Sequence, residues 1–392
     1  MKNFFKRAAV FVGTAAMSLL AITGYYSKTL PDSISTSGEV ALNTFFSVTA
    51  TEVSDKSAEK ANCTLSLFGT VPIKDITAAY GQRPYLVPCG QPFGIRLITD
   101  GVLVVDLQSL SAFDGEMVCP ASRCGIHIGD IVTSVDGQSV TSNDDIARIV
   151  EECGGEPVTV TLKRDDEIKT LTLTPELTGG KYRAGMWVRD SSAGIGTLTF
   201  YDNQTGGFGG LGHPICDRDT RQPLPLSDGN TGEVEITGTV KSVSGAPGEL
   251  VGKFVSSNAV GVLTANTQSG VFGRYFSCPS KNEAIPLAYK QEVKTGRAYI
   301  YTTLSGEEPE MYEIKINTID LSENAEHSMV VEITDSKLLE TAGGIVQGMS
   351  GSPIIQDGRL VGAVTHVFTD EPTKGYAIFA QTMYETLSQS LD

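Results

Sequence analysis

Apolar and polar residues alternate with period two over most of this chain, and helical spacing breaks the alternation in only a few places. "FGIRLITDGVLVVDL" (93–107) reads as two apolar-alternating runs split by a tight turn at Asp100-Gly101. "CGIHIGDIVTSVDGQSV" follows, with a strand at Ile131–Val135 and a second Asp-Gly turn at Asp136-Gly137. In "SNDDIARIVEE" the cap-type Ser142 and Asn143 precede Ile146, Ile149 and Val150 on one helical face. "VTVTLKRDDEIKTLTLTP" predicts a hairpin, with Val158, Val160 and Leu162 set against Ile168, Leu171 and Leu173. A small sheet capped by one helix fits residues 93–176. From about residue 180 onward, short strands recur at roughly ten-residue spacing between Gly, Asn and Asp turns, until a helical pattern returns in "AQTMYETLSQSL". That rhythm predicts a sandwich or barrel over 180–392. Residues 28–92 are less regular: 28–60 read as a Ser/Thr/Glu-rich linker with one short strand, and 61–92 as strand-like pieces of no assigned unit.

Composition sharpens this picture in three ways. At 392 residues the chain is too long for one ordinary core. The 42 glycines and many Val/Thr/Ile runs favour a mainly β fold. The net charge of −16, with no basic stripe, excludes a nucleic-acid partner. Seven cysteines cannot all pair, and no C-x-x-C or zinc-finger spacing occurs. Cys119 and Cys124 are close enough to bridge a short loop, and buried idle thiols are the equal alternative. At the N-terminus, Lys2, Lys6 and Arg7 precede an apolar run from Ala8 to about Ile22. This is a basic flank followed by a stretch of signal-sequence length, shorter than the roughly 20 residues of a comfortable bilayer span. Residues 1–27 are therefore expected to be a signal peptide or a signal-anchor helix that sends the rest of the chain across a membrane.

The chemistry concentrates in "GGIVQGMSGSPIIQDGRLVGAVTH" (343–366). Gly348 and Gly351 permit a turn that aims the Ser350 hydroxyl outward and the N–H groups of Gly348 and Ser350 inward, as an oxyanion hole. Ser352 is the competing nucleophile. A serine needs a base, and there are four histidines. His127 reads as a surface residue and His327, in "ENAEHSMV", as solvated. His213, in the glycine-dense "GGFGGLGHPICD", is the best base, with His366 second. For the orienting acid, Asp335 in "VVEITDSKLL" stands out, and a helix N-cap is its structural alternative. Asp217 and Asp219 are the other choices. No H-E-x-x-H occurs, so no metal site and no cofactor is expected.

Two resemblances bear on these residues. "CGIHIGDIVTSVDG" is similar to the central signature of PDZ domains in exported bacterial proteases, with Cys124 where Ala is usual. A PDZ domain binds an extended peptide by adding it as a strand to a sheet edge. The resemblance thus implies docking along Gly101, Val102, Leu103 and Val104. "GMSGSP" resembles the serine turn of chymotrypsin-like proteases, with Met349 in place of the acid. Together with "GLGHPICD" and "EITD", it resembles the SpoIVB peptidase family of stage IV sporulation serine peptidases. That likeness implies a PDZ domain at 93–176, then a chymotrypsin-like double β-barrel at 180–392, with His213, Asp335 and Ser350 as the triad. It further implies export across the forespore membrane into the intermembrane space, with the chain membrane-anchored or released after self-cleavage. The expected partners are a membrane-complex regulatory subunit cut as substrate, the chain's own N-terminal region bound through the PDZ domain, and the membrane itself. The competing reading is a membrane-tethered PDZ scaffold with an inactive peptidase-like domain.

Overall fold

The computed structural model describes residues 13–14, 17–27, 30–36, 46–50, 60–112, 115–165, 167–322 and 327–391. Two closed β-barrels and an inserted sheet-and-helix unit make up most of it.

The first barrel is closed by a ring of six strands. In chain order they are β6 (Pro92–Leu107), β10 (Met186–Tyr201), β11 (Gly207–Gly210), β12 (Leu226–Val240), β14 (Gly261–Thr267) and β15 (Gly270–Tyr275). β12 pairs with β6 and β14, β15 with β14 and β11, and β10 with β11 and β6, which completes the circuit. A closed circuit leaves no long sheet edge open to a stray strand. Phe93, Ile95, Leu198, Phe208, Leu211 and Leu263 fill its interior. β5 (Tyr85–Pro88) adds to β10 outside the ring, and β13 (Glu249–Phe254) pairs with the second half of β12.

The second barrel is also six-stranded: β16 (Gly296–Thr302), β17 (Glu310–Ile319), β18 (Met329–Ile333), β21 (Lys374–Phe379), β20 (Arg359–Val367) and β19 (Pro353–Gln356), in spatial order. Their alternating apolar positions, among them Ile300, Ile314, Val331, Ile354, Val364 and Ala377, converge on one core. The Asp357-Gly358 turn between β19 and β20 has positive φ at both residues (51° and 72°), the geometry that matches strand twist in a two-residue hairpin. Two helices pack on this frame, α3 (Ser336–Ala342) and α4 (Ala380–Leu391).

The unit expected at 93–176 exists, with different limits. β7 (Ile131–Val135), β8 (Val158–Arg164) and β9 (Glu167–Leu173) extend from the second half of β6, and α1 (Pro120–Cys124) and α2 (Asn143–Glu152) cover one face. Ser142 and Asp145 form a reciprocal capping box at the start of α2, and Ile146, Ile149 and Val150 are buried, as the spacing predicts. The β8–β9 hairpin has the expected pairing of Val158 with Leu173 and Val160 with Leu171, whereas Ile168 points to solvent. The "GD" of the signature is structural: buried Asp130 receives two hydrogen bonds of 2.6 Å from Arg164 and one from the His127 amide. His127 itself is exposed.

Asp100-Gly101 does not reverse the chain. β6 runs through it, and residues 99–102 form a bulge opposite Asp190 of β10. Phe93, Ile95 and Leu97 therefore belong to the first barrel, and residues 102–190 are an insertion between two of its neighbouring strands. A dipeptide that reads as a turn is equally compatible with a bulge when both flanking runs are apolar.

The N-terminal region is more ordered than a linker. β1 (Ser33–Thr36), β2 (Phe46–Ala50), β3 (Lys60–Leu67) and β4 (Val71–Tyr80) form a four-stranded sheet around Ile34, Cys63, Leu65, Ile76 and Ala78. It is tied to the second barrel where Gln291 and Gln381 donate to Ser35 (2.6 and 2.8 Å). Residues 17–27 are helical; no helix among the described residues is long and apolar enough to cross a membrane. Most of the expected basic flank and apolar run lies outside the described residues. All seven cysteines are unpaired, Cys119 and Cys124 included.

Candidate active site

A cleft of about 780 Å³ lies where the two barrels meet, and His213, Gly348, Ser350, Thr365 and His366 line it. Each barrel delivers one half. His213 follows β11 on a tight bend in which Leu211 and Gly212 both have positive φ. Gly212 is needed there, because a Cβ would come within 2.9 Å of the Thr365 side chain and 3.0 Å of Ile378. Asn266 of β14 fixes the next segment, bonding both the amide and the carbonyl of Ile215.

Ser350 sits on the turn that enters β19. Gly351 has φ 96°, and a Cβ there would lie 1.9 Å from the Thr197 carbonyl, so the turn presses directly on β10. The Ser350 hydroxyl donates to the Thr365 carbonyl at 2.5 Å. Within the turn, the amides of Gln347, Met349, Gly351 and Ser352 all have backbone acceptors. Those of Gly348 and Ser350 have no partner among the described residues. Two unpaired N–H groups beside a serine hydroxyl form a ready binding place for a developing oxyanion. Ser352 is fully buried and its hydroxyl donates to the Met349 carbonyl at 2.7 Å, which removes it as a nucleophile.

The His213 ring makes one hydrogen bond among the described residues, from Nδ1 to the Pro214 carbonyl at 2.8 Å. A carbonyl only accepts, so Nδ1 carries the proton and the neutral ring has its lone pair on Nε2. Burial holds the His213 pKa below the usual histidine value, with the Pro214 bond opposing, which keeps the ring neutral near pH 7. His366 packs against it with ring centroids 4.6 Å apart. Desolvation, and then the nearby His213 and His327, lower the His366 pKa to about 4. His327 is not solvated as expected: its ring stacks on Tyr376 at 3.5 Å, with His366 6.4 Å away.

The expected orienting acid is elsewhere. Asp335 is the N-cap of α3: one carboxylate oxygen accepts from the Lys337 and Leu338 amides (2.9 and 3.2 Å), the other from Glu313 N–H (3.3 Å). It does not line the cleft. The alternatives are also engaged away from His213. Asp217 is buried and pairs with Arg189, as does Asp219, and Asp217 also caps its own turn through the Asp219 and Thr220 amides. The roles of Pro214, Thr365, Thr197 and Asn266 carried no sequence signal, because all four act through or upon backbone atoms.

The expected docking strand also needs correction. Val102, Leu103 and Val104 are at most 1% exposed, and their strand is paired with β7 on one side and β10 on the other. The open edge belongs to β10. Met186–Asp190 pairs only with β6 among the described residues, and its other side faces α2 across a cleft of about 650 Å³. Ile146, Val150, Tyr182, Trp187 and Val188 line that cleft.

Residues 180–384 match the family model described as SpoIVB peptidase S55, which is 205 of the 392 residues counted inclusively. The chain belongs to the SpoIVB peptidase S55 family. Residues 118–164 also match the PDZ domain model. The chain is 31% identical over 84 residues to a Bartonella henselae protein named as a zinc metalloprotease, covering 21% of this chain and 24% of that one. A Mesorhizobium japonicum protein named likewise is 34% identical over 126 residues (30% and 34% covered). The chain thus spans about a third or less of these relatives, whose named activity is theirs. Among solved structures, the PDZ domain of an SdrC-like protein from Listeria monocytogenes is 23% identical, covering 23% of this chain and 87% of that one, with a TM-score of 0.19. An active-form protease from M. tuberculosis is 14% identical, covering 50% and 74%, with a TM-score of 0.29. At such TM-scores the architecture of this S55 peptidase rests on its own strand pairing.

Both lowered histidines link the stability of the folded chain to pH. Between pH 6.5 and about 4 the unfolded chain takes up a proton at His366 that the folded chain does not. Stability therefore falls as pH falls through that window. In urea melts at stepped pH, His366→Gln is expected to show a shallower decline than the wild type; parallel curves would show that His366 carries no such linkage.

Proposed function

We propose that Ser350 is the nucleophile and His213 the general base of an exported endopeptidase. The observation that carries this is the pair of unpaired Gly348 and Ser350 amides beside the Ser350 hydroxyl, in a cleft that also holds a neutral His213. The hydroxyl turns from the Thr365 carbonyl to Nε2 of His213 and gives up its proton as Oγ attacks a peptide carbonyl. The carbonyl oxygen becomes an oxyanion received by the two amides. The intermediate collapses with cleavage of the C–N bond, and His213 returns the proton to the leaving amine. Water, deprotonated by His213, then hydrolyses the acyl ester and regenerates Ser350.

In this reading Pro214, rather than Asp335, orients the imidazole. Asp335 acts further back: it starts α3, and α3 ends at Gly343 (φ 72°), which leads into the cleft wall that runs from Ile345 to Ser350. The PDZ unit presents peptides along the open edge of Met186–Asp190, where an added strand gains backbone hydrogen bonds and α2 supplies apolar contacts. Family membership supports the wider setting, in which the peptidase of a sporulating cell is exported into the intermembrane space, cleaves its own N-terminal region and cuts a membrane-complex regulatory subunit. That cut would release late sigma-factor processing.

Three outcomes follow for the full chain. Ser350→Ala is expected to abolish fluorophosphonate labelling and to remove any shortened forms that the wild type generates; labelling that persists moves the nucleophile elsewhere. Asparagine caps helices as well as aspartate does, so Asp335→Asn should keep its labelling rate within about threefold, and Asp335→Ala should lose about 1 kcal/mol of stability. A triad acid would instead lose on the order of 10⁴ in rate on amidation, and that result would return Asp335 to the triad. Trp187 is the only tryptophan and lies half-open on the groove. Titration with a peptide of the chain's own N-terminal region should shift its fluorescence, and a flat titration counts against docking there.

A further inference from the structure

An amide N–H points opposite to the C=O of the same peptide plane, so whatever grips the carbonyl of residue i−1 sets the direction of the N–H of residue i. The Gly348 N–H shares its plane with the Gln347 carbonyl, which is held by the Leu250 amide of β13 at 2.8 Å. The Ser350 N–H shares its plane with the Met349 carbonyl. That carbonyl is gripped twice by Ser352, from its amide at 2.9 Å and its hydroxyl at 2.7 Å. Ser352 is fully buried, so the Met349 carbonyl is drawn inward and the Ser350 N–H is turned outward.

The two planes that flank the one carrying the Ser350 N–H are anchored by one residue of the other barrel. Thr197 of β10 donates its hydroxyl to the Gly348 carbonyl at 2.7 Å and its amide to the Ser350 carbonyl at 3.0 Å. Thr197 is 1% exposed, and the hydroxyl of the equally buried Thr199 donates to the Gly351 carbonyl at 2.8 Å. Every carbonyl from Gln347 to Gly351 therefore has a donor inside the protein, and two amides are left to face the cleft.

We propose that Thr197 and Ser352 are positioning residues that together aim the Gly348 and Ser350 amides at the oxyanion. This rests on the reading of Ser350 as nucleophile. Neither residue touches the reacting atoms. The second serine of "GMSGSP" belongs in that motif because it turns its neighbour's amide outward. The threonine supplies from the first barrel a brace that the turn, built on two positive-φ glycines, does not supply for itself.

Labelling of the full chain by a fluorophosphonate tests this, since its P=O oxygen occupies the same place as a substrate oxyanion. The saturating labelling rate reports the aim of the amides, and the final stoichiometry reports the folded fraction. Thr197→Val keeps the β-branched shape and the amide bond but removes the hydroxyl. Both Thr197→Val and Ser352→Ala are expected to slow the saturating rate about ten- to a hundredfold. The half-saturating concentration and the stoichiometry should stay near wild type, and Thr197→Ser should return the rate to within about threefold. Rates that stay at the wild-type value per labelled site, or that fall only with the stoichiometry, would overturn the proposal and leave both residues as ordinary structural contacts. Failure of the underlying reading looks different: Ser350→Ala would still label.

Discussion

β10 is the strand on which the rest of the molecule depends. Its first residues form the open wall of the PDZ groove, its middle pairs with β6 to close the first barrel, and Thr197 and Thr199 near its end grip the serine turn of the second barrel. A β-strand is stiff along its length, and its side chains alternate strictly between faces. Its register against β6 therefore sets at once which residues face the groove, which fill the barrel and which reach Ser350. One-residue slippage would exchange Thr197 for a neighbour pointing the other way.

The proposed pair of Ser350 and His213 sits at the meeting of two cores, and His213 is held by means other than a carboxylate. A backbone carbonyl selects its tautomer, and burial keeps it neutral. A carbonyl stabilises an imidazolium less than a carboxylate does, so the proposed mechanism places a larger share of transition-state stabilisation on the oxyanion site. This gives a physical reason for the care with which every carbonyl around Ser350 is satisfied.

Much of this was legible in the sequence. Alternation located most strands of both barrels, the cap-type Ser142 and Asn143 located the start of α2, and glycine spacing located the Ser350 turn and His213. The docking strand was misread because period-two patterns show which face of a strand is buried and are silent about its edges. Gly101–Val104 read as a docking strand because nothing in "DGVLVV" tells that both edges are taken. Asp335 followed an apolar strand and preceded a short helix, so acid and cap were equally written there. β1 and β2 are short and separated from each other and from β3, so the joining of all four strands into one sheet left little trace.

The insertion between β6 and β10 also bears on how the chain reaches its native state. About 90 residues separate two strands that must pair to close the first barrel, and drawing such a loop together costs about 4 kcal/mol of chain entropy. A folded insert brings its own ends side by side, at the bulge where residues 99–102 meet Asp190. The inserted unit thus acts as a clasp: when it folds before the barrel, it hands the first barrel two strands already in register.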